Sequence, residues 1–78
     1  MNKKSEIPMA LGLLHAKEGK LEKAFDFLLE AASLNKNDPR PYVYMAKIAA
    51  QKGDKSGAKK YQREADSRSK QPQKKTVA

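Results

Sequence analysis

The sequence predicts an all-α chain: four helices folded as two antiparallel αα-hairpins, one after the other. Three observations carry this. The chain matches itself at a shift of 34 residues, with Ala16 falling on Ala50, Gly19 on Gly53, Ala24 on Ala58, Glu30 on Glu64 and Ala31 on Ala65. Like-for-like pairs fill in around these identities: Leu11 with Met45, Gly12 with Ala46, Leu14 with Ile48, Phe27 with Tyr61. A fixed period of this length marks a repeat architecture. Apolar residues also recur at helical steps of three and four. Gly19 and Gly53 interrupt those stretches with only a few residues to spare, so each flanking pair must pack antiparallel.

The elements read as follows. The first helix starts with Ser5 as N-cap and Pro8 in its first turn, where a missing N–H costs little. Ile7, Ala10, Leu11 and Leu14 are its expected inward side, and Gly19 stops it. The second opens at Lys20 and carries Leu21, Ala24, Phe25, Leu28, Ala31 and Ala32, a wide amphipathic stripe. It ends before Asn35-Lys36-Asn37-Asp38-Pro39, a run of breakers. The third runs from about Pro41 to Lys52 with Tyr42, Met45, Ile48 and Ala49 inward, and Gly53-Asp54 ends it. The fourth runs from about Lys55 to Ser69 and offers little beyond Ala58, Tyr61 and Ala65. Residues 70–78 cannot bury anything and are expected to form a disordered basic tail.

Composition narrows the function classes. The chain has 78 residues, near the lower edge for a self-sufficient core. It has no Cys and one His, His15, so disulfides, thiolate metal sites and a metal-binding His cluster are excluded. No cofactor is expected. The absence of Cys fits a reducing cytosol, and the cytoplasm is the expected location. No apolar run approaches the ~20 residues that span a bilayer. Lys3 and Lys4 before Ile7 to Leu14 imitate a short signal peptide, but Glu6 and Pro8 interrupt it and no cleaved signal is expected. The net charge of +8 is uneven, +2 over residues 1–54 and +6 over 55–78. Such asymmetry points to a solubilising tail or to an anionic partner.

These residues resemble the tetratricopeptide repeat family. Its pattern is an aromatic, two residues, Leu-Gly, two residues, Tyr, then Ala, a large apolar residue, Ala and Pro. Leu11-Gly12, His15 in the Tyr place, Ala24, Leu28 and Ala31 follow it in residues 5–38. Tyr42, Met45-Ala46, Ala49, Ala58 and Ala65 follow it in the second unit, residues 39–69. Pro8, Lys36 and Gln62 depart from the pattern. The resemblance implies that Gly12, Ala46, Ala24 and Ala58 let paired helices approach closely, while Ala31 and Ala65 admit the neighbouring hairpin. Where Leu21, Phe25, Leu28 and Ala32 would accept a following repeat, the fourth helix has Lys55, Lys59, Gln62 and Asp66. That helix is expected to be a solvated cap.

The same resemblance implies a protein-interaction module, an adaptor or scaffold rather than an enzyme. Its groove would be lined by the first helix of each hairpin: Met9, Leu13 and Lys17, then Arg40, Val43, Tyr44, Lys47 and Gln51. Met9 and Leu13 lie off the side taken by Leu11 and Leu14, so the sequence predicts an exposed apolar strip for a partner peptide or helix. Arg40 and Lys47 would orient its polar groups. Chaperone-tail binding by the family's carboxylate clamp is not expected, because Met9 and Leu13 occupy its Lys and Asn places. The alternative is an anion-binding factor using Lys59, Lys60, Arg63, Arg68, Lys70, Lys74 and Lys75 on nucleic acid or an anionic surface. Only Tyr61 could add a stacking ring there. His15 with Glu18 or Lys17 could be drawn as an acid–base pair, but nothing places a nucleophile beside it. Stacked repeats generally need about three units, and two are present. A homodimer through the first helix, covering Met9 and Leu13, would supply the missing burial; otherwise the chain is the end of a longer array.

Overall fold

The computed structural model describes residues 3–69; the tail expected over residues 70–78 lies outside them. Helix α1 spans Lys3–Lys17, α2 Leu21–Leu34, α3 Arg40–Gln51 and α4 Lys55–Ser69. Helix α1 packs on α2 and α3 on α4, as the short connections require, and α2 joins the hairpins by packing on α3. Met9, Ala24, Leu28, Ala31, Ala32, Met45 and Ile48 form one buried cluster, with Phe25, Tyr42 and Tyr61 against its edge. Burying a side chain such as Leu28 or Met45 contributes about 1.5–3 kcal/mol.

Both hairpin turns are built alike because both helices end in the same way. Gly19 and Gly53 take φ of 83° and 81°, the left-handed region that a Cβ disfavours. The N–H of Lys20 then reaches the His15 carbonyl at 2.9 Å, and that of Asp54 reaches the Ala49 carbonyl at 2.8 Å. These are Schellman closures repeated 34 residues apart. The Asp54 carboxylate accepts the Gly57 N–H at 2.9 Å and caps α4. Close packing follows from Gly12, where an added Cβ would lie 2.9 Å from Leu28 Cγ and 3.1 Å from the Ala24 carbonyl oxygen.

Helix α1 corrects the sequence reading in two ways. It starts by Lys3, so Ser5 is inside the helix and fully buried instead of capping it. Pro8, also buried, lies past the first turn and withholds one N–H from the Lys4 carbonyl. The inward side is Ser5, Pro8, Met9 and Gly12. Ile7, Leu11 and Leu14 point outward, 67%, 37% and 51% exposed, and Ala10 is exposed too. Close approach at Gly12, against Leu28 and the Ala24 carbonyl, sets this side of α1 inward, with Ser5 fully buried beside it and Met9 entering the core. The remaining elements follow their stripes, and Lys55, Lys59, Gln62 and Asp66 are all exposed on α4.

Polar contacts fix the hairpins to each other. The Asp38 carboxylate, with only 7% of its side chain exposed, accepts the Arg40 backbone N–H at 3.0 Å. It also accepts Arg40 Nε at 3.1 Å and Nη2 at 2.7 Å. The same Nη2 reaches Glu6 Oε2 at 2.6 Å, a bond from α3 to α1 between positions 34 residues apart. Burial alone pushes the Asp38 carboxyl up, but the side-chain and backbone hydrogen bonds from Arg40, with its charge, outweigh that and hold it below its ordinary value of 3.8. At the other end, Arg68 donates to the Lys36 carbonyl, to the Glu64 carbonyl at 3.0 Å and to Glu64 Oε1 at 2.6 Å. Its guanidinium lies 4.1 Å from the centre of the Tyr42 ring, so α4 is tied to α3 and to the loop before it.

Two glycine variants separate space from backbone conformation. Gly12→Ala, which forces Leu28 and the Ala24 carbonyl apart, should lower stability by about 1–3 kcal/mol. Gly19→Ala meets nothing within 4 Å. Its cost should be purely conformational, about 1–2 kcal/mol, and Gly19→Asn should recover part of it. Urea unfolding followed by circular dichroism reads both. The pH dependence has a definite sign. Asp38 is depressed in the folded chain, so its contribution is full above its unfolded value and is lost as pH falls through the folded value, below 3.8. Asp38→Asn should therefore destabilise the chain at pH 7 and flatten the loss of stability on acidification, measured by thermal unfolding between pH 7 and pH 2.

Candidate functional site

The Glu6–Arg40 bond joins the N-terminal ends of α1 and α3, the first helices of the two hairpins; beyond it the two helices touch little, α1 packing chiefly on α2, and α3 on α4 and α2. Leu13 is 38% exposed, while Val43 and Tyr44 are half-buried, Tyr44 resting against the edge of the core. Lys17, Lys47 and Gln51 are exposed around them. The surface thus has an apolar centre with a cationic border.

Two residues of the predicted strip belong elsewhere. Met9 is 4% exposed and is part of the core cluster, because it lies on the side of α1 that faces α2 and α3. It cannot meet a partner without unpacking the core. Arg40 stands at the edge of the strip, but Asp38 and Glu6 hold its guanidinium and drive its pKa far upward. A ligand carboxylate would have to displace Glu6. The cations with open surroundings are Lys17 and Lys47.

The basic side of α4 is also smaller than the sequence suggests. Lys59, Lys60 and Arg63 are exposed, with Lys60 Nζ 5.5 Å from the Tyr61 ring centre. Arg68 is taken up by the Lys36 carbonyl, Glu64 and Tyr42, which corrects its assignment as a free phosphate contact. Lys70, Lys74 and Lys75 lie outside the described residues. Tyr61 makes an edge-on contact with Phe25, ring centres 5.4 Å apart, and so serves the core.

His15 does packing work. Its Nδ1–H donates to the Leu11 carbonyl at 2.8 Å, and its ring lies 5.1 Å from that of Phe27. Glu18 turns to Lys20 at 3.6 Å, so the acid–base pair drawn from the sequence is not assembled. Among the described residues, no group of His, Cys, Asp or Glu is placed to hold a metal ion, and no helix is long and apolar enough to cross a membrane.

One feature escaped sequence reasoning. A shallow hollow of about 350 Å³ opens between α3 and α4, floored by Ala46, Ala50 and Ala58 and rimmed by Lys47, Lys59 and Gln62. Of the equivalent positions in the first hairpin, Gly12, Ala24 and Leu28 are buried, Ala16 and Phe25 half-buried and Leu13 exposed. The signal was present in the repeat: small residues recur at the floor, and the rim changes from Leu13, Phe25 and Leu28 to Lys47, Lys59 and Gln62. Lys47 borders both this hollow and the strip, extending the accessible surface across α3.

No curated protein and no solved structure matches the chain. The tetratricopeptide repeat model matches it twice in tandem, over residues 9–38 and 39–72. Repeats of this family are generally protein–protein interaction modules and typically non-enzymatic. The paired helices, the small residues at their contacts and the two matched repeats agree: the chain belongs to the tetratricopeptide repeat family.

Proposed function

We propose that the chain is a non-enzymatic protein-interaction module that holds a peptide or helix of a partner along α1 and α3. The observation that carries this is a set of accessible apolar side chains on the first helices, Leu13 on α1 and Val43 and Tyr44 on α3, in two helices that the Glu6–Arg40 bond links at one end. In this reading these three side chains form the apolar centre of the partner surface, and the exposed Lys17 and Lys47 give it a positive border. An extended or helical segment with apolar anchors and flanking carboxylates complements that face. Tyr44 is the natural anchor, since a half-buried aromatic gains contact area at little cost in conformational freedom. An adaptor or scaffold role fits this reading, and a cytoplasmic location is proposed with it.

The test uses peptides of about 12 residues that place two or three large apolar side chains among Asp and Glu, read by fluorescence anisotropy. Binding should weaken about tenfold or more in Tyr44→Ala and in Leu13→Asp. Lys17→Glu and Lys47→Glu should weaken the acidic peptides more than neutral analogues. Truncation after Ser69 should leave affinity unchanged. The opposite pattern would sink the groove reading: no response to these variants, but loss on truncation. If a single-stranded oligonucleotide then binds with steep salt dependence, the anion-binding alternative takes its place.

A further inference from the structure

We infer that the outer face of α1 is a self-association surface, on which a second copy of this chain pairs its own α1 in antiparallel, two-fold fashion. This face is distinct from the peptide strip. Its centre is the line Ile7, Leu11 and Leu14, all exposed. The repeat shows what such a line is built for. Shifted by 34 residues it becomes Pro41, Met45 and Ile48, and these are buried, because α2 covers them. The first hairpin carries the same line with nothing upon it among the described residues.

Which helix covers it is decided by charge. A head-to-tail copy would offer Lys55, Lys59, Gln62 and Asp66 of α4, all exposed polar groups that would have to be desolvated against Ile7 and Leu11. A second α1 offers apolar side chains instead. The line also ends in opposite charges, Lys4 at one end and Glu18 at the other, each seven residues from Leu11. Glu18 keeps the helical register, its N–H still reaching the Leu14 carbonyl at 3.2 Å. With Leu11 on a two-fold axis, antiparallel pairing brings Lys4 of each copy to Glu18 of the other; parallel pairing would set like against like. The exposed Glu18–Lys20 contact at 3.6 Å is weak enough for Glu18 to exchange it for Lys4 of the second copy. Ile7 and Leu14 of both copies fill the space between. Three partly exposed side chains fall well short of the ~800 Å² per partner of a stable interface. The dimer is accordingly weak and forms only at high concentration.

Sedimentation equilibrium of the full chain from about 10 µM to 1 mM, in enough salt to screen its net positive charge, tests this. The mass should rise from that of one copy to that of two and stop. Leu11→Asp should hold it at one copy throughout. Lys4→Glu should weaken association several-fold, and the exchanged pair Lys4→Glu with Glu18→Lys should restore it. If Leu11→Asp loses helix content, the exchanged pair decides alone. A single-copy mass throughout, a dimer indifferent to Leu11→Asp, no recovery in the exchanged pair, or growth beyond two copies would each overturn the inference. None of these outcomes bears on the peptide strip, whose variants are read separately.

Discussion

At Gly12 the two helices of the first hairpin come so close that even a methyl group would meet Leu28 at 2.9 Å. Leu28 is fully buried and shares its cluster with Met9 from α1 and with Met45 and Ile48 from α3. It therefore serves both partners of α2 at once. Were α1 held further out, Leu28 would lose its contact on that side and the seat for α3 would shift with it. Among the described residues there is one cluster and no second core to absorb such a change.

Polar contacts do at the edges what the core does in the middle. The exposed Glu6–Arg40 pair taken alone would be worth little. Its strength comes from Asp38, a nearly buried carboxylate whose acceptors are filled by one neighbour's backbone and side chain. Arg40, fixed from below by Asp38, presents a preset hydrogen-bond donor to α1. Arg68 works likewise on the far side, where Tyr42 and the Lys36 carbonyl receive it. Both arginines spend their charge within the fold, so the molecule is less cationic at its working surfaces than its composition implies.

How far the sequence could be read depended on contrast. Helices α2, α3 and α4 each have one apolar side, and their bounds, stripes and turns were legible from spacing and two glycines. Helix α1 is apolar on nearly every side, so hydrophobicity alone could not choose its buried face. Close approach at Gly12 chose it, with Ser5 and Met9 inward and Ile7, Leu11 and Leu14 left exposed. The repeat register held that information, because those three align with residues that α2 covers on α3. The engagement of Arg40 and Arg68 was illegible for a different reason. Their partners Glu6 and Lys36 lie 34 and 32 residues away in sequence, and no local pattern links them. Asp38 could have been found, since an Asp two residues before a helix start commonly accepts its first N–H groups.

The polar outer side of α4 gives the molecule a direction. In the language of polymers, each hairpin is a monomer with two reactive ends, and repetition of one sequence would keep both ends alive. Exchanging Leu21, Phe25, Leu28 and Ala32 for Lys55, Lys59, Gln62 and Asp66 at the corresponding places blunts one of them, as a chain stopper would. Covering that side would desolvate four polar groups, while the small residues that shape the hairpin are retained. Stacking against α4 thus carries a desolvation cost that stacking against α1 does not, and the two ends of the molecule are chemically unlike.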